Sequence, residues 1–172
     1  RDFISNIKSC LSEKGFISLE FPHLAKLVEH TQFDTIYDEH YFYHSIIALK
    51  NIFSEFRLKI IEVNEISTHG GSLRIFLTHE KNNVYPISNS VNNILHKELS
   101  LNLGQKEGFQ KFQRKTEKIR HNAVDFIRKR REKDQKILAF GAAAKGNIFL
   151  NYCGINSDDI SRIVDDTPAK QG

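Results

Sequence analysis

The chain has 172 residues, of which 40% are hydrophobic and 27% charged, with a formal charge of +4. That balance suits a soluble globular protein with room for one large or two small domains, and it excludes fibrous or low-complexity classes. The two cysteines, Cys10 and Cys153, form no C-x-x-C pair, so neither a disulfide framework nor a zinc site is visible, and no apolar run nears the ~18 residues that span a bilayer.

A reduced, cytoplasmic setting without a membrane is therefore expected. Much of the basic excess lies in residues 106–136, which reads as a solvated helix face rather than a nucleic-acid site. No methionine occurs, so the chain is expected to be a piece of a longer protein.

In chain order, Phe3, Ile4, Ile7 and Leu11 have helical spacing and predict a helix over residues 2–14, stopped by Gly15. Residues 16–21, "FISLEF", predict a strand ended by Pro22. A short helix follows at 24–30, and 33–40 reads as irregular. Ile46, Leu49, Ile52, Phe53 and Phe56 share one face of a helix predicted over 45–56. "LKIIEVNEI" predicts a strand at 58–66, parallel to the first, and Gly70-Gly71 turns the chain into an antiparallel strand at 73–77.

Residues 81–90 are polar and predict a linker, giving domains 1–80 and 81–172. Helices are expected at 91–101 and, long and charged, at 105–133, with an interruption near Gly108. Phe109, Phe112, Ile119, Phe126 and Ile127 are its expected core positions. A strand at 137–140, a loop at 141–146, a helix at 147–152 and a strand at 162–165 then make one βαβ unit.

Three stretches carry chemistry. "GAAAKG", residues 141–146, has the form G-x-A-x-x-G. Gly141 makes the tight turn, Gly146 permits close helix packing, and small Ala142, Ala143 and Ala144 let a ligand approach the amides at a helix start. Lys145 offers a charge to a phosphate, and Asp165 would accept from a sugar hydroxyl. The same residues also suit a close-packed βα turn with a solvated lysine.

"TIYDEH", residues 35–40, gathers titratable groups after the first strand. His40 is a candidate general base near neutral pH. Glu39 would orient its imidazole, and Tyr37 would donate to a developing oxyanion. Asp38 is expected to face outward or to cap the next helix. "HGGS", His69, Gly70, Gly71 and Ser72, falls at the carboxyl end of the 58–66 strand, and both clusters are expected on one rim. His23, His30, His44, His79, His96 and His121 show no metal-ligand spacing, and both cysteines read as buried thiols.

The blocks "QFDTIYDEHYFYHS", "HGGSLRIF", "LAFGAAAKGNIFLNYCGI" and "VDDTPAKQG" together resemble the S-adenosylmethionine-dependent sugar C-methyltransferases, which act on nucleotide-linked deoxyketosugars. The resemblance implies an α/β fold: the end of a class I methyltransferase (Rossmann-like) sheet over 1–80, then a second Rossmann-like, nucleotide-sugar-binding domain over 81–172. It implies that Tyr37, Glu39 and His40 are catalytic, with His40 removing the proton next to the ketone.

It further implies that His69, Gly70, Gly71 and Ser72, and Ala143, Ala144, Lys145 and Asn151 for the nucleotide diphosphate, bind substrate. S-adenosylmethionine would be bound mainly by an upstream half, as would the family's zinc, so no metal ligand is assigned here and the fragment alone would be inactive. Two other readings stay open on the residues: an NAD-dependent oxidoreductase module, resting on GAAAKG and Asp165, and a non-catalytic nucleotide-sugar-binding domain.

Overall fold

The computed structural model describes residues 1–38 and 40–170 of the chain. Contacts divide it into two compact units, Arg1–His30 with Phe42–Gln110, and Thr31–Tyr41 with Lys111–Gly172. The fold is mixed α/β, as expected.

The first unit holds α1 (Asp2–Ser9), β1 (Ile17–Pro22), α2 (Leu24–Glu29), α3 (Ile46–Glu55), β2 (Leu58–Ile66), β3 (Ser72–His79) and α4 (Asn89–Ser100). Its sheet has the order β1-β3-β2, with β3 antiparallel to both neighbours. β1 and β2 therefore run in the same direction with β3 between them. Pro22, Ser72 and Ile66 stand in register at one edge, so the carboxyl ends of β1 and β2 share that edge with the HGGS turn.

Alternation explains the sheet. Leu73, Ile75 and Leu77 of β3 are fully buried and meet Phe21, Leu19 and Ile17 of β1. On β2 the register slips between Ile60 and Glu62, and this bulge lets consecutive Ile60 and Ile61 both be buried. Ile46, Leu49 and Phe53 of α3 and Val91 and Ile94 of α4 complete this core.

Three expectations are corrected here. The first helix ends at Ser9, because Ser9, Cys10 and Ser12 are weak helix formers; Leu11 reaches the core from a turn instead. Cys10 is exposed. Residues 81–90 are no loose linker, and the compact units do not divide at 80/81. Asn82 is buried and donates to the Glu13 carbonyl (3.0 Å) and the Thr78 hydroxyl (2.8 Å). Ser88 N–H donates to the Ile61 carbonyl at 2.7 Å, and Ser90 Oγ accepts from Val63 N–H at 3.1 Å. Polar side chains and amides thus bind this stretch to the sheet, and the helix after it belongs to the first core.

The second unit contains most of α5 (Lys106–Arg131), then β4 (Leu138–Phe140), α6 (Ala144–Cys153) and β5 (Arg162–Val164). β4 and β5 pair in parallel across α6, the predicted βαβ arrangement. α5 runs unbroken through Gly108. Of its expected core positions, Ile127 is buried, whereas Phe109 and Phe126 are exposed; the Arg130 guanidinium covers the Phe126 ring at 4.9 Å. Among the described residues, no helix is long and apolar enough to cross a membrane.

Candidate active site

The segment carrying TIYDEH belongs to the second unit. A 3-10 turn, Phe33–Thr35, opens it, and the Thr35 hydroxyl donates to the Gln32 carbonyl at 2.8 Å. Phe33 is buried, with its ring 4.7 Å from Tyr152 and 6.3 Å from Phe149, both on α6. Tyr152 in turn donates its hydroxyl to Thr116 Oγ1 on α5 at 2.9 Å. A tight turn follows, closed by His40 N–H donating to the Tyr37 carbonyl at 3.1 Å. It sets the Tyr37 and His40 rings 6.3 Å apart, centroid to centroid. Both side chains are half-buried, and Asp38 is exposed, as expected. Glu39 lies outside the described residues.

In the same unit, the strand-to-helix turn after β4 lines a cavity of about 550 Å³ together with Phe140, Asn147, Phe149 and Ile163. Gly141 has φ +93°, a conformation that favours glycine. Ala143 and Ala144 line the cavity; Lys145 and Asn151 do not. Asn151 Nδ2 donates to the Asn147 carbonyl and side-chain oxygen, each at 2.9 Å.

The expected loop at 141–146 is shorter than predicted, because alanine is the best helix former and α6 already begins at Ala144. Gly146 is not needed for close packing: a Cβ there would meet only the Gly141 carbonyl, at 3.8 Å. Asp165 does not project as a sugar acceptor. Its carboxylate accepts from the Ala142 amide at 2.6 Å and the Thr167 amide at 2.8 Å, with Lys170 Nζ at 3.5 Å. The Thr167 side chain, then these two amides and the lysine, hold it far below the usual carboxylate range. The acid therefore ties the turn together from within.

HGGS lies in the first unit. Thr68–Gly70 forms a 3-10 turn, and Gly71 follows at φ +123°. A Cβ on Gly71 would stand 2.8 Å from Lys26 Cγ, so both backbone conformation and space require glycine. The Gly71 carbonyl accepts from His23 N–H at 3.0 Å. Ser72 is buried and donates to the Thr68 carbonyl at 3.4 Å, so its hydroxyl serves the turn. The His69 side chain lies outside the described residues.

Beside the turn is a cleft of about 430 Å³ lined by Lys26, His30, Glu65, Ile66, Ser67, Gly70 and Gly71. Lys97 and Lys26 stand 3.2 and 3.7 Å from the Glu65 carboxylate. Burial pushes Glu65 up, but the hydrogen bond and charge of Lys97, with Lys26 and His23, outweigh it and hold the acid below its ordinary value. Among the described residues, no three His, Cys, Asp or Glu side chains converge on a metal-sized space.

Two groups without an assigned role in the sequence reading stand out. His23 and Glu98 are both buried, with His23 Nε2 3.4 Å from Glu98 Oε1. Glu98 follows Ile94 by four residues and Val91 by seven, so an acid on the apolar face of that helix was a readable signal.

A family model described as the C-methyltransferase C-terminal domain matches residues 67–172. The chain belongs to the C-methyltransferase C-terminal domain family. The resemblance drawn from four sequence blocks is borne out at this level. C-methyltransferase NovU of Streptomyces niveus is 27% identical over 171 residues, 99% of this chain and 40% of the relative's own length. The chain thus spans well under half of that C-methyltransferase. Tyr37 and His40 precede the residues matched by the family model and fall within the stretch shared with NovU.

Proposed function

We propose that this chain is the C-terminal part of a C-methyltransferase that methylates the carbon next to the ketone of a nucleotide-linked deoxyketosugar of the dTDP type. Family membership supports the reaction class. The observation that carries the site is the turn holding Tyr37 and His40 with their rings 6.3 Å apart, anchored by Phe33 on α6. In this reading His40 removes the proton next to the ketone, and the Tyr37 hydroxyl donates to the oxygen that becomes the enolate. Glu39 steadies the imidazolium. The first amides of α6, at Ala144 and Lys145, have no partners within the helix and would meet the diphosphate, with the Lys145 charge in the same turn; Asn151, farther along the same helix, belongs to this site by resemblance.

His69, Gly70 and Gly71 belong to the substrate side of this proposal by resemblance, and Ser72 shapes their turn. The methyl donor of the proposal is S-adenosylmethionine, which supplies an electrophilic methyl group. Gly70 and Gly71 do not fit that cofactor: they join strand to strand, and the Gly71 carbonyl is taken by His23. A cytoplasmic enzyme acting on a small nucleotide-linked substrate, with neither nucleic acid nor membrane as partner, completes the reading.

The engagement of Ala142 N–H by Asp165 counts against the NAD module, since a dinucleotide needs both the amide and the acid. Titrating the whole protein with NAD and with a dTDP-linked ketosugar separates the two; tight NAD binding without nucleotide-sugar binding would sink the methyltransferase. A His40→Ala change is expected to cut methyl transfer by about 10²-fold or more with folding preserved, whereas a binding module predicts no change.

A further inference from the structure

At the edge of the sheet opposite the HGGS turn, the first unit holds another cleft, of about 550 Å³. Register puts it there: Leu58 of β2 pairs with His79 at the end of β3, while Ile66 pairs with Ser72 beside HGGS. Three segments form its walls. They are the end of α1 with the turn after it, Arg57 just before β2, and residues 80–84 after β3.

These walls are bonded to one another. Glu80 N–H donates to the Arg57 carbonyl and Asn82 N–H to the His79 carbonyl, each at 2.9 Å. His79 Nε2 stands 3.2 Å from the Leu11 carbonyl, which can only accept, so this nitrogen carries the proton. Asn82 Nδ2 donates to the Glu13 carbonyl at 3.0 Å, and its Oδ1 accepts from Val84 N–H at 2.8 Å. A cleft held in this way is pre-formed, which lowers the cost of binding.

Four cationic side chains line it: Lys8, Lys14, Arg57 and Lys81. Among the described residues, none of the four stands at ion-pair distance from a carboxylate. Elsewhere in this unit Lys26, Arg74 and Lys97 each pair with a glutamate. Two acids, Glu13 and Glu80, also line the cleft, so its cations outnumber its acids four to two. Solvated lysines alone would need no ligand; Arg57 is the residue that asks for one.

Arg57 follows the last turn of α3 at φ +54°. This left-handed position normally takes glycine. Asparagine and aspartate tolerate it through their short polar side chains, as Asn102 and Asp134 do in this chain. Arginine has no such relief. Its carbonyl bond to Glu80 and its N–H bond to the Ser54 carbonyl, at 2.9 Å, are backbone bonds that glycine would make equally. What glycine would not supply is the guanidinium, a planar fork suited to two phosphate oxygens.

We propose that this cleft binds a diphosphate group, gripped by Arg57 and neutralised by Lys8, Lys14 and Lys81. A small excess of positive charge gathered in one cleft matches a compact anion of two or three charges. An extended nucleic-acid backbone would also meet the two acids and gain less from each lysine. The site is separate from the GAAAKG turn, which belongs to the other unit, and it does not depend on the reaction proposed above. Inorganic pyrophosphate and nucleoside diphosphates both carry the group.

The test is calorimetric titration of the whole protein with sodium pyrophosphate at low salt, where such contacts are least screened. The wild type should bind it. Arg57→Gly should weaken binding by about 10- to 10²-fold without lowering Tm, because glycine suits the backbone there. Lys81→Gln should weaken it by a smaller factor. Lys145→Ala, in the GAAAKG turn, should retain it. Sulfate should bind at least about 10-fold more weakly than pyrophosphate, as its smaller charge requires.

Absence of pyrophosphate binding by the wild type overturns the proposal, and so does wild-type affinity in Arg57→Gly. If Arg57→Gly does not fold, Lys81→Gln decides: unchanged affinity overturns the proposal. Equal affinity for sulfate and pyrophosphate overturns the diphosphate assignment. An RNA hexanucleotide that binds more tightly than pyrophosphate, and loses affinity in Lys81→Gln, gives the cleft to nucleic acid instead and overturns it too. ADP and dTDP separate the two sources. Tighter binding than pyrophosphate points to a nucleoside diphosphate, equal or weaker binding to the inorganic ion, and both results support the site.

Discussion

Two glycines that look alike in sequence do opposite work. Gly71 combines φ +123° with a Lys26 side chain 2.8 Å from any added Cβ. Gly71→Ala is expected to destabilise the protein by about 1–3 kcal/mol, measured as a shift in the denaturation midpoint. Gly146 sits in the first turn of α6, where an added Cβ would make only an ordinary contact with the Gly141 carbonyl at 3.8 Å, and Gly146→Ala is expected to stabilise by about 0.5–1 kcal/mol through the unfolded chain. A loss of stability in Gly146→Ala would show that the turn needs that glycine after all.

Asp165 gives a pH test at the same scale. Its folded-state pKa lies below the ordinary 3.8, so its contribution is fully present above about that pH and is lost as pH falls toward the depressed value. The protection of the Ala142 and Thr167 amides, taken relative to their intrinsic exchange, should persist through pH ~4 and be lost only as pH falls well below it, toward the depressed value. In Asp165→Asn that acid dependence should vanish, and its persistence would assign the protection to other groups.

Among the elements, what sequence patterning could show depended on how local the deciding contact is. β2 was legible to the residue because its alternation is intrinsic, although its bulge at Ile60 and Ile61 was not. The start of α6 was missed because three alanines read as a ligand loop when they are also strong helix formers. The 81–90 stretch was read as a linker because its polar residues carry no mark of the backbone groups they bind.

The seat of TIYDEH was hidden altogether: it depends on Phe33 meeting Phe149 and Tyr152, more than a hundred residues away. Phe33→Ala should therefore cost about 3–5 kcal/mol, and with the anchor gone it should lower methyl transfer by the whole protein. Loss of stability with turnover per folded molecule intact would mean that the 3-10 turn does not position Tyr37 and His40 for the proposed reaction.

For the whole molecule, the family was legible because four separated blocks kept their order over nearly all of the chain, and the match over residues 67–172 agrees with them. The division of labour was less legible. The TIYDEH turn and the GAAAKG turn share one compact unit, while HGGS belongs to the other, a partition set by tertiary packing rather than by chain order.

The central claim is that His40 abstracts the proton next to a ketone. The most direct measurement is solvent exchange at that carbon. The whole protein is incubated with a dTDP-linked ketosugar in deuterated water, with the methyl donor left out. The account predicts deuterium incorporation by the wild type and a loss of about 10²-fold or more in His40→Ala. Equal incorporation by the two proteins would contradict it.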